Sequence, residues 1–469
     1  MGQQTGFGQV GGIWLPLPHL LIATLAWIDP LYSSGLAGSL FSMLAYVGTV
    51  VALYGVVLVA TGDRLGGWVA AAVYGLSASA LYLQTTPMGE PLMYLGIVTA
   101  ILAVLLWHRT ERHRWLMVAA MICMLLVLVR YEAWVFSLAL WVVVGHVCVA
   151  KKYRFMSGDL AGQAYLLVFG TYLALGVGLW LLWDLVIFGD PLAWLHGSYT
   201  SFDQTSELSL SQVGNLRLSL ETYAYGVRAT LGLPVAVLGV VGLLWMLWRE
   251  GLSPVFTAFL ATLAPSAFLV YGLYSGAQPM RVEEIDGDLY NLRMAVVMLL
   301  PVALFTGYAV ASIPRAHWSA RTLRAVATSL VVVLAGAGLQ TAAATEGSGV
   351  VVAREASQAF AAYAEQRQVG SFIEDHTSGR VLVQSFGNEW IVFPIQRRVV
   401  YEGSSDQWRH GLKSPAGPRA DIDVVVMRVT PGDTDAPEQH LRHSPAMKHY
   451  DVVLATDHFL VWQRGGGAR

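Results

Sequence analysis

Charge is scarce in this chain. Asp, Glu, Lys and Arg make up 13% of its 469 residues, about half the share usual in a soluble domain, and this excludes an ordinary water-soluble globule. No basic stripe runs along the sequence and the formal net charge is −2, so nothing points to nucleic acid as a partner. Cysteine is nearly missing. Cys123 and Cys148 both lie in apolar runs, which leaves neither a disulfide framework nor a cysteine metal cluster. Residues 1–12 lack the basic start and apolar core of a signal peptide. Apolar residues fill the space that charge leaves. At 55% hydrophobic and a mean hydropathy of +0.53, the chain reads as a polytopic membrane protein in the plasma membrane.

The run from Trp115 to Ala150 shows how the spans divide. As one helix of 36 residues it would be ~54 Å long, against a bilayer core of ~30 Å. Arg130, Tyr131 and Glu132 interrupt it, so it is read as two spans meeting at a polar corner. A bare Arg and Glu there are unfavourable unless they pair, reach the interface or line a wet cavity. The full pattern predicts ten spans, at 36–61, 66–85, 91–108, 115–129, 133–150, 161–187, 231–248, 252–274, 292–313 and 325–344.

The connecting loops sort by charge. Those at 62–65, 108–115, 151–160, 249–251 and 314–324 carry eleven Lys and Arg residues. The alternating, longer set holds five: Arg130, Arg217, Arg228, Arg281 and Arg293. Cytoplasmic loops concentrate basic residues, so the second set faces outward. Residues 1–35 then form an extracytoplasmic or interfacial segment, with Trp14–His19 (WLPLPH) suited to the membrane interface. Nothing in that segment explains how it crosses, and the expectation is an additional span upstream of Met1. Gly6–Gly11 matches the GxGxxG pattern of dinucleotide sites, but no strand precedes it, and Pro16 and Pro18 stand where the phosphate-binding helix would begin.

After the helical domain at 36–344 the character changes. An amphipathic stretch at 353–375 leads into short β-rich runs at 380–386, 397–402, 421–429, 451–454 and 459–462. Helical patches at 405–412 and 437–443 alternate with them. The fold class is mainly α: a transmembrane helix bundle with a small extracytoplasmic α/β domain at 345–469. His440, His443 and His449 lack metal-site spacing and read as a solvated face.

Four outward corners carry more polar chemistry than a plain bundle needs. The TPMGEP turn places Glu90 before Pro91 at the mouth of a span. The second corner holds Arg130 and Glu132. The third opens at Phe188-Gly189-Asp190-Pro191. The fourth is an acidic run, Glu283 to Asp288, followed by Tyr290, Asn291 and Arg293. Carboxylates there could act as a general base or hold a divalent cation, the only cofactor the sequence raises. Guanidinium forks fit phosphate oxygens. Together they suit an amphiphilic, phosphate-bearing substrate.

TPMGEPL, RYEAW, FGDPL and YNLRM, in that order, resemble the multispanning GT-C glycosyltransferases, above all bacterial members akin to the protein mannosyltransferase and aminoarabinose transferase group. The resemblance covers residues 8–313 and, more loosely, the C-terminal domain. It implies an inverting transfer of a hexosyl or pentosyl sugar from a polyprenyl-phosphate carrier to an acceptor at the outer face of the membrane. Glu90 and Glu132 resemble the family's catalytic carboxylates. Arg130, Tyr131, Arg293, Asn291, Tyr290, His19, Trp14 and Asp190 are the implied substrate contacts; no metal site is assigned. These enzymes also carry a catalytic aspartate in their first outer loop. GFGQVGGIWLPLPH resembles the end of that loop, so the aspartate is expected upstream of Met1, and the chain alone is expected to be inactive. Two other readings compete. One is a transporter or flippase of a lipid-linked or anionic substrate, with Asp184 the nearest candidate for a buried charge; the other is a non-catalytic scaffold of the cell envelope.

Overall fold

The computed structural model describes residues 10, 14–152, 161–196, 210–313, 322, 349–395, 398–402, 406–413, 418, 421–430 and 432–465. It divides into two compact units, Ile13–Ala356 and a second that takes in Ser357–Arg469.

The first unit is helical. Two short helices, α1 (Pro16–Ala23) and α2 (Asp29–Ser33), each start with Pro in the first turn, where a missing N–H does no harm. Then come α3 (Leu36–Thr61), α4 (Arg64–Gly75), α5 (Ala78–Leu83), α6 (Glu90–Thr110), α7 (His113–Leu126), α8 (Glu132–Ala150), α9 (Ala161–Phe188) and α10 (Ala193–His196). They are followed by α11 (Leu216–Leu231), α12 (Leu233–Glu250), α13 (Pro254–Leu260), α14 (Ala264–Ser275), α15 (Glu283–Asp286), a 3-10 run Leu292–Met298 and α16 (Leu299–Ala311). Seven of the described segments are long and apolar enough to cross a bilayer: α3, α6, α8, α9, α12, Pro254–Ser275 and Leu292–Ala311. The protein is therefore a multi-pass membrane protein, as composition indicates.

The segments differ from the expected pattern in three places. The span at 66–85 is two helices, because Ser77 caps α5 by accepting the Ala80 N–H. The span at 115–129 is the 14-residue α7, apolar but short. The loop at 188–230 contains the amphipathic α11, whose start Asn215 caps through the Leu218 N–H at 3.1 Å. The span at 325–344 lies outside the described residues.

α16 runs through the middle of this unit: every residue from Leu299 to Tyr308 is buried. α9, by contrast, exposes Leu167, Leu175, Leu179, Leu182 and Val186, the apolar face of a helix that meets lipid. Close packing relies on absent side chains. A Cβ on Gly66 in α4 would stand 2.6 Å from the Gly307 carbonyl of α16, and one on Gly307 would stand 2.7 Å from the Gly66 carbonyl.

The boundary between the units falls inside α17 (Val351–Ala362), the first of two helices in the amphipathic stretch. The second unit continues with α18 (Ala364–His376), β1 (Arg380–Leu382), α19 (Glu389–Ile395), β2 (Val399–Val400), α20 (Asp406–Lys413), β3 (Ile422–Thr430), β4 (Asp433–Thr434), α21 (Ala436–Leu441), β5 (Tyr450–Ala455) and β6 (Phe459–Arg464). The sheet order is β2-β1-β3-β6-β5, with β4 paired to β3. β2, β1 and β3 are parallel; β6 and β5 add an antiparallel edge. Alternate side chains point to opposite faces. Val381, Val424 and Val426 therefore pack with Val369, Ile373 and Ile391 from α18 and α19. Leu382, Val425 and Met427 pack with Leu412 and Leu441 from α20 and α21.

Candidate functional site

Three chain corners of the helical unit meet at one carboxylate. Glu90 opens α6 directly before Pro91 and is 1% exposed. Arg130 lies in the turn between α7 and α8, and Glu132 is the first residue of α8. Arg293 enters the 3-10 run that leads to α16. Glu90 Oε1 receives Arg293 Nε at 3.0 Å and lies 3.2 Å from Arg130 Nη1. Arg130 also donates to Glu132, from Nη2 to Oε1 at 2.7 Å and from Nε to Oε2 at 3.3 Å. Burial works against the Arg130 charge, but Glu132 and Glu90 outweigh it and hold the guanidinium firmly protonated.

Arg293 is pinned from its other side. Its Nη1 donates to Asn291 Oδ1 at 2.6 Å, and the Asn291 amide donates to the Pro279 carbonyl at 3.0 Å. Asn291 is left-handed at φ 55°, an uncommon conformation that Asn tolerates better than most residues. Glu355 of α17 locks this turn. Its two oxygens accept the backbone N–H groups of Asn291 at 2.6 Å and Leu292 at 3.0 Å. Those are orphan donors at the start of a helical run. Burial raises the Glu355 carboxyl even against those two hydrogen bonds.

Two atoms of the cluster are unused. Glu90 Oε2 is buried and has no partner. Arg293 Nη2 makes no hydrogen bond among the described residues, and its side chain is 23% exposed. The most accessible free donor of the cluster therefore sits on a guanidinium held from both sides.

Of the residues expected from sequence, Glu90, Arg130, Glu132, Arg293 and Asn291 come together here. Tyr131 turns away and stacks on Trp194 with centroids 4.6 Å apart; burial raises its phenol. Trp14 and His19 are exposed, and His19 Nδ1 lies 3.2 Å from the Leu15 carbonyl. The helix that holds His19 is tied to the chain just before Arg130: Leu17 N–H donates to the Leu128 carbonyl at 3.0 Å. Asp190 accepts the Leu192 N–H at 2.8 Å in its own turn, and the Tyr290 backbone pairs with Arg281. None of these four has a hydrogen bond shown to the cluster. The acidic run is more tied down than a solvated loop. Asp288 pairs with Arg281 and Glu283 with Arg354, both at 2.8 Å, and Asp286 accepts the Val282 N–H at 3.0 Å. Glu355 was missed; no local pattern marks one glutamate of an amphipathic helix as the partner of a turn more than sixty residues earlier.

No family model and no curated protein matches the chain. Solved structures do. ArnT from Cupriavidus metallidurans, in the apo state, is similar with a TM-score of 0.55 at 12% identity, over 96% of this chain and 87% of that one. The Archaeoglobus fulgidus oligosaccharyltransferase, tethered to an acceptor peptide, is similar with a TM-score of 0.51 at 11% identity. That match covers 89% of this chain and 61% of the archaeal one, so the chain spans less than two thirds of that protein's length. Both are GT-C membrane glycosyltransferases, and this chain has their fold.

Proposed function

We propose that the protein is a membrane glycosyltransferase that takes a sugar from a polyprenyl-phosphate carrier, with the Arg293–Glu90–Arg130 cluster as its phosphate site. The observation that carries this is the free Nη2 edge of Arg293, fixed by Glu90 and Asn291 at a membrane corner. A phosphate there would meet a guanidinium whose orientation is already set, and charge developing on the leaving phosphate would be met without reorganisation. The shared fold of the two solved transferases supports the same reading.

In this reading Glu90 and Glu132 position the guanidiniums. A carboxylate engaged with arginine is a poor proton acceptor, so neither is proposed here as the general base. A divalent cation is not favoured by the donor set either. Glu132 and Glu355 commit both oxygens to arginine or backbone donors, and Glu90 keeps only Oε2. Arg293, Arg130 and Asn291 are the proposed carrier contacts. Loop charge assigns the corner and the C-terminal unit to the outer side of the plasma membrane. The acceptor, and whether the sugar is a hexosyl or a pentosyl unit, are open to direct assay.

Equilibrium binding of a polyprenyl phosphate to the full chain in nanodiscs tests the reading. Losing a charge-assisted hydrogen bond of ~1.5–3 kcal/mol should weaken binding on the order of tenfold or more in Arg293→Ala. Arg293→Lys should recover only part, since an ammonium does not reproduce the fork. Unchanged binding in both Arg293→Ala and Arg130→Ala would sink the reading. The transporter alternative draws on Asp184, buried within α9 with neither oxygen hydrogen-bonded; substrate uptake that depends on Asp184 would favour it.

A further inference from the structure

The C-terminal unit has a topological switch point of its own. From β1 the chain passes through α19 to β2, then returns through α20 to β3 on the other side of β1. α19, which follows β1, packs on one face of the sheet, and α21, which follows β3, packs on the other. The loops that leave β1 and β3 therefore diverge, and in open parallel sheets that point, at the carboxyl ends of the strands, is where ligands bind.

The side chains at this point are polar, and several are buried with unused atoms. Arg428, near the end of β3, donates from Nη1 to Asp433 Oδ2 at 3.0 Å. Its Nε is buried without a partner, and Nη2 makes no hydrogen bond among the described residues, so the side-on edge of the guanidinium is free. Gly387, in the loop after β1, lets the guanidinium close on the backbone. A Cβ there would stand 3.3 Å from both terminal nitrogens, and its φ of +77° suits glycine. Around it, Asn388 is wholly buried, Asp435 1% exposed and Gln366 8% exposed. Each is anchored by one end: Asn388 Nδ2 to the Gln384 carbonyl, Gln366 Nε2 to the Gly387 carbonyl, and Asp435 Oδ1 to the Glu438 N–H. Each leaves an oxygen unpartnered: Asn388 Oδ1, Gln366 Oε1 and Asp435 Oδ2. Gln384 ties the two loops together by accepting the Ala436 N–H at 2.9 Å.

A fold rarely leaves buried acceptors and a buried guanidinium donor unmatched side by side. Three lone acceptors call for hydroxyl donors, and a free guanidinium fork calls for an oxyanion. We propose that this switch point binds a compact hydroxylated anion, a phosphorylated or carboxylated sugar, with the anion on Arg428 and the hydroxyls on Asn388, Gln366 and Asp435. The site lies within the C-terminal unit and shares no residue with the Arg293 cluster.

Calorimetric titration of the full chain in nanodiscs with glucose 6-phosphate, glucuronate, glucose and inorganic phosphate tests the assignment. At least one of the two sugar anions should bind saturably, and its preference over the other separates phosphate from carboxylate as the anion. Glucose and inorganic phosphate should each bind about tenfold more weakly or worse. Arg428→Gln should weaken the sugar anion by more than about tenfold, and Arg428→Lys, which keeps the charge without the fork, should fall between. Arg442→Gln, at an exposed ion pair with Glu438, should bind as wild type. The assignment is overturned if neither sugar anion binds up to about 10 mM, if inorganic phosphate binds as tightly as either, or if Arg428→Lys and Arg428→Gln both bind like wild type.

Discussion

At the scale of the residue, the site depends on side chains that hold other side chains. Glu355 makes no hydrogen bond to an arginine of the cluster among the described residues, yet it fixes the left-handed turn from which Asn291 reaches Arg293. Glu355→Ala should leave two backbone donors unmatched, at ~1–3 kcal/mol in stability, and should weaken carrier binding. Glu355→Gln keeps one acceptor and should restore part of both. Wild-type binding in both variants would remove Glu355 from the site. Asp435 gives a pH signature in the other unit. Burial pushes its carboxyl up to about 6, so the folded state binds more protons than the unfolded one. Its contribution is present below about pH 4 and lost as pH rises to about 6. Asp435→Asn keeps the capping oxygen and removes the charge. It should raise stability above pH 6 by on the order of 2–3 kcal/mol, with the gain shrinking toward pH 4; a gain independent of pH would contradict the assigned cause. Polar residues at membrane corners were legible in the sequence because charge there is unfavourable without a partner. Which corner pairs with which was not, since Glu90 and Arg293 are some two hundred residues apart.

At the scale of the element, long apolar runs and alternating strands were legible, and interruptions were less so. The run at 66–85 reads as one span because a single Ser77 barely lowers the mean hydropathy of so long an apolar run; the cap that splits it is a local hydrogen bond. α11 went unread because a membrane chain draws attention to apolar length, and its 16 residues are amphipathic. The β-strands of the C-terminal unit were legible as short β-rich runs between helical patches; helices cover both faces of β3, so Val424 to Met427 are all buried and form a continuous apolar run. Where α4 crosses α16, glycines replace periodicity as the signal. Gly66→Val places atoms where the Gly307 carbonyl stands, and overpacking of this kind typically destabilises by ~1–3 kcal/mol. A thermal melt of Gly66→Val in detergent should show the loss, and an unchanged melt would mean that α4 and α16 are not in contact.

At the scale of the whole molecule, the bundle, the C-terminal unit and the cluster follow one logic. Apolar spans suit passage through the bilayer; in the proposed topology basic loops set the orientation, and the corners on the basic-poor side are where arginines and carboxylates converge. A cysteine in place of Asp457, on the exposed surface of the C-terminal unit, should react with an impermeant thiol reagent added outside intact cells. One in place of Lys152 should react only after permeabilisation; the reverse pattern would invert the topology. The central claim is that Arg293 recognises the phosphate of a lipid carrier, and the most direct measurement is a cycle across protein and ligand. Polyprenyl phosphate and the matching polyprenol are titrated into the wild-type chain and into Arg293→Ala. Wild type should prefer the phosphate by at least about tenfold, and the preference should collapse in the variant while polyprenol binding stays the same. Equal preference in both proteins would contradict the account.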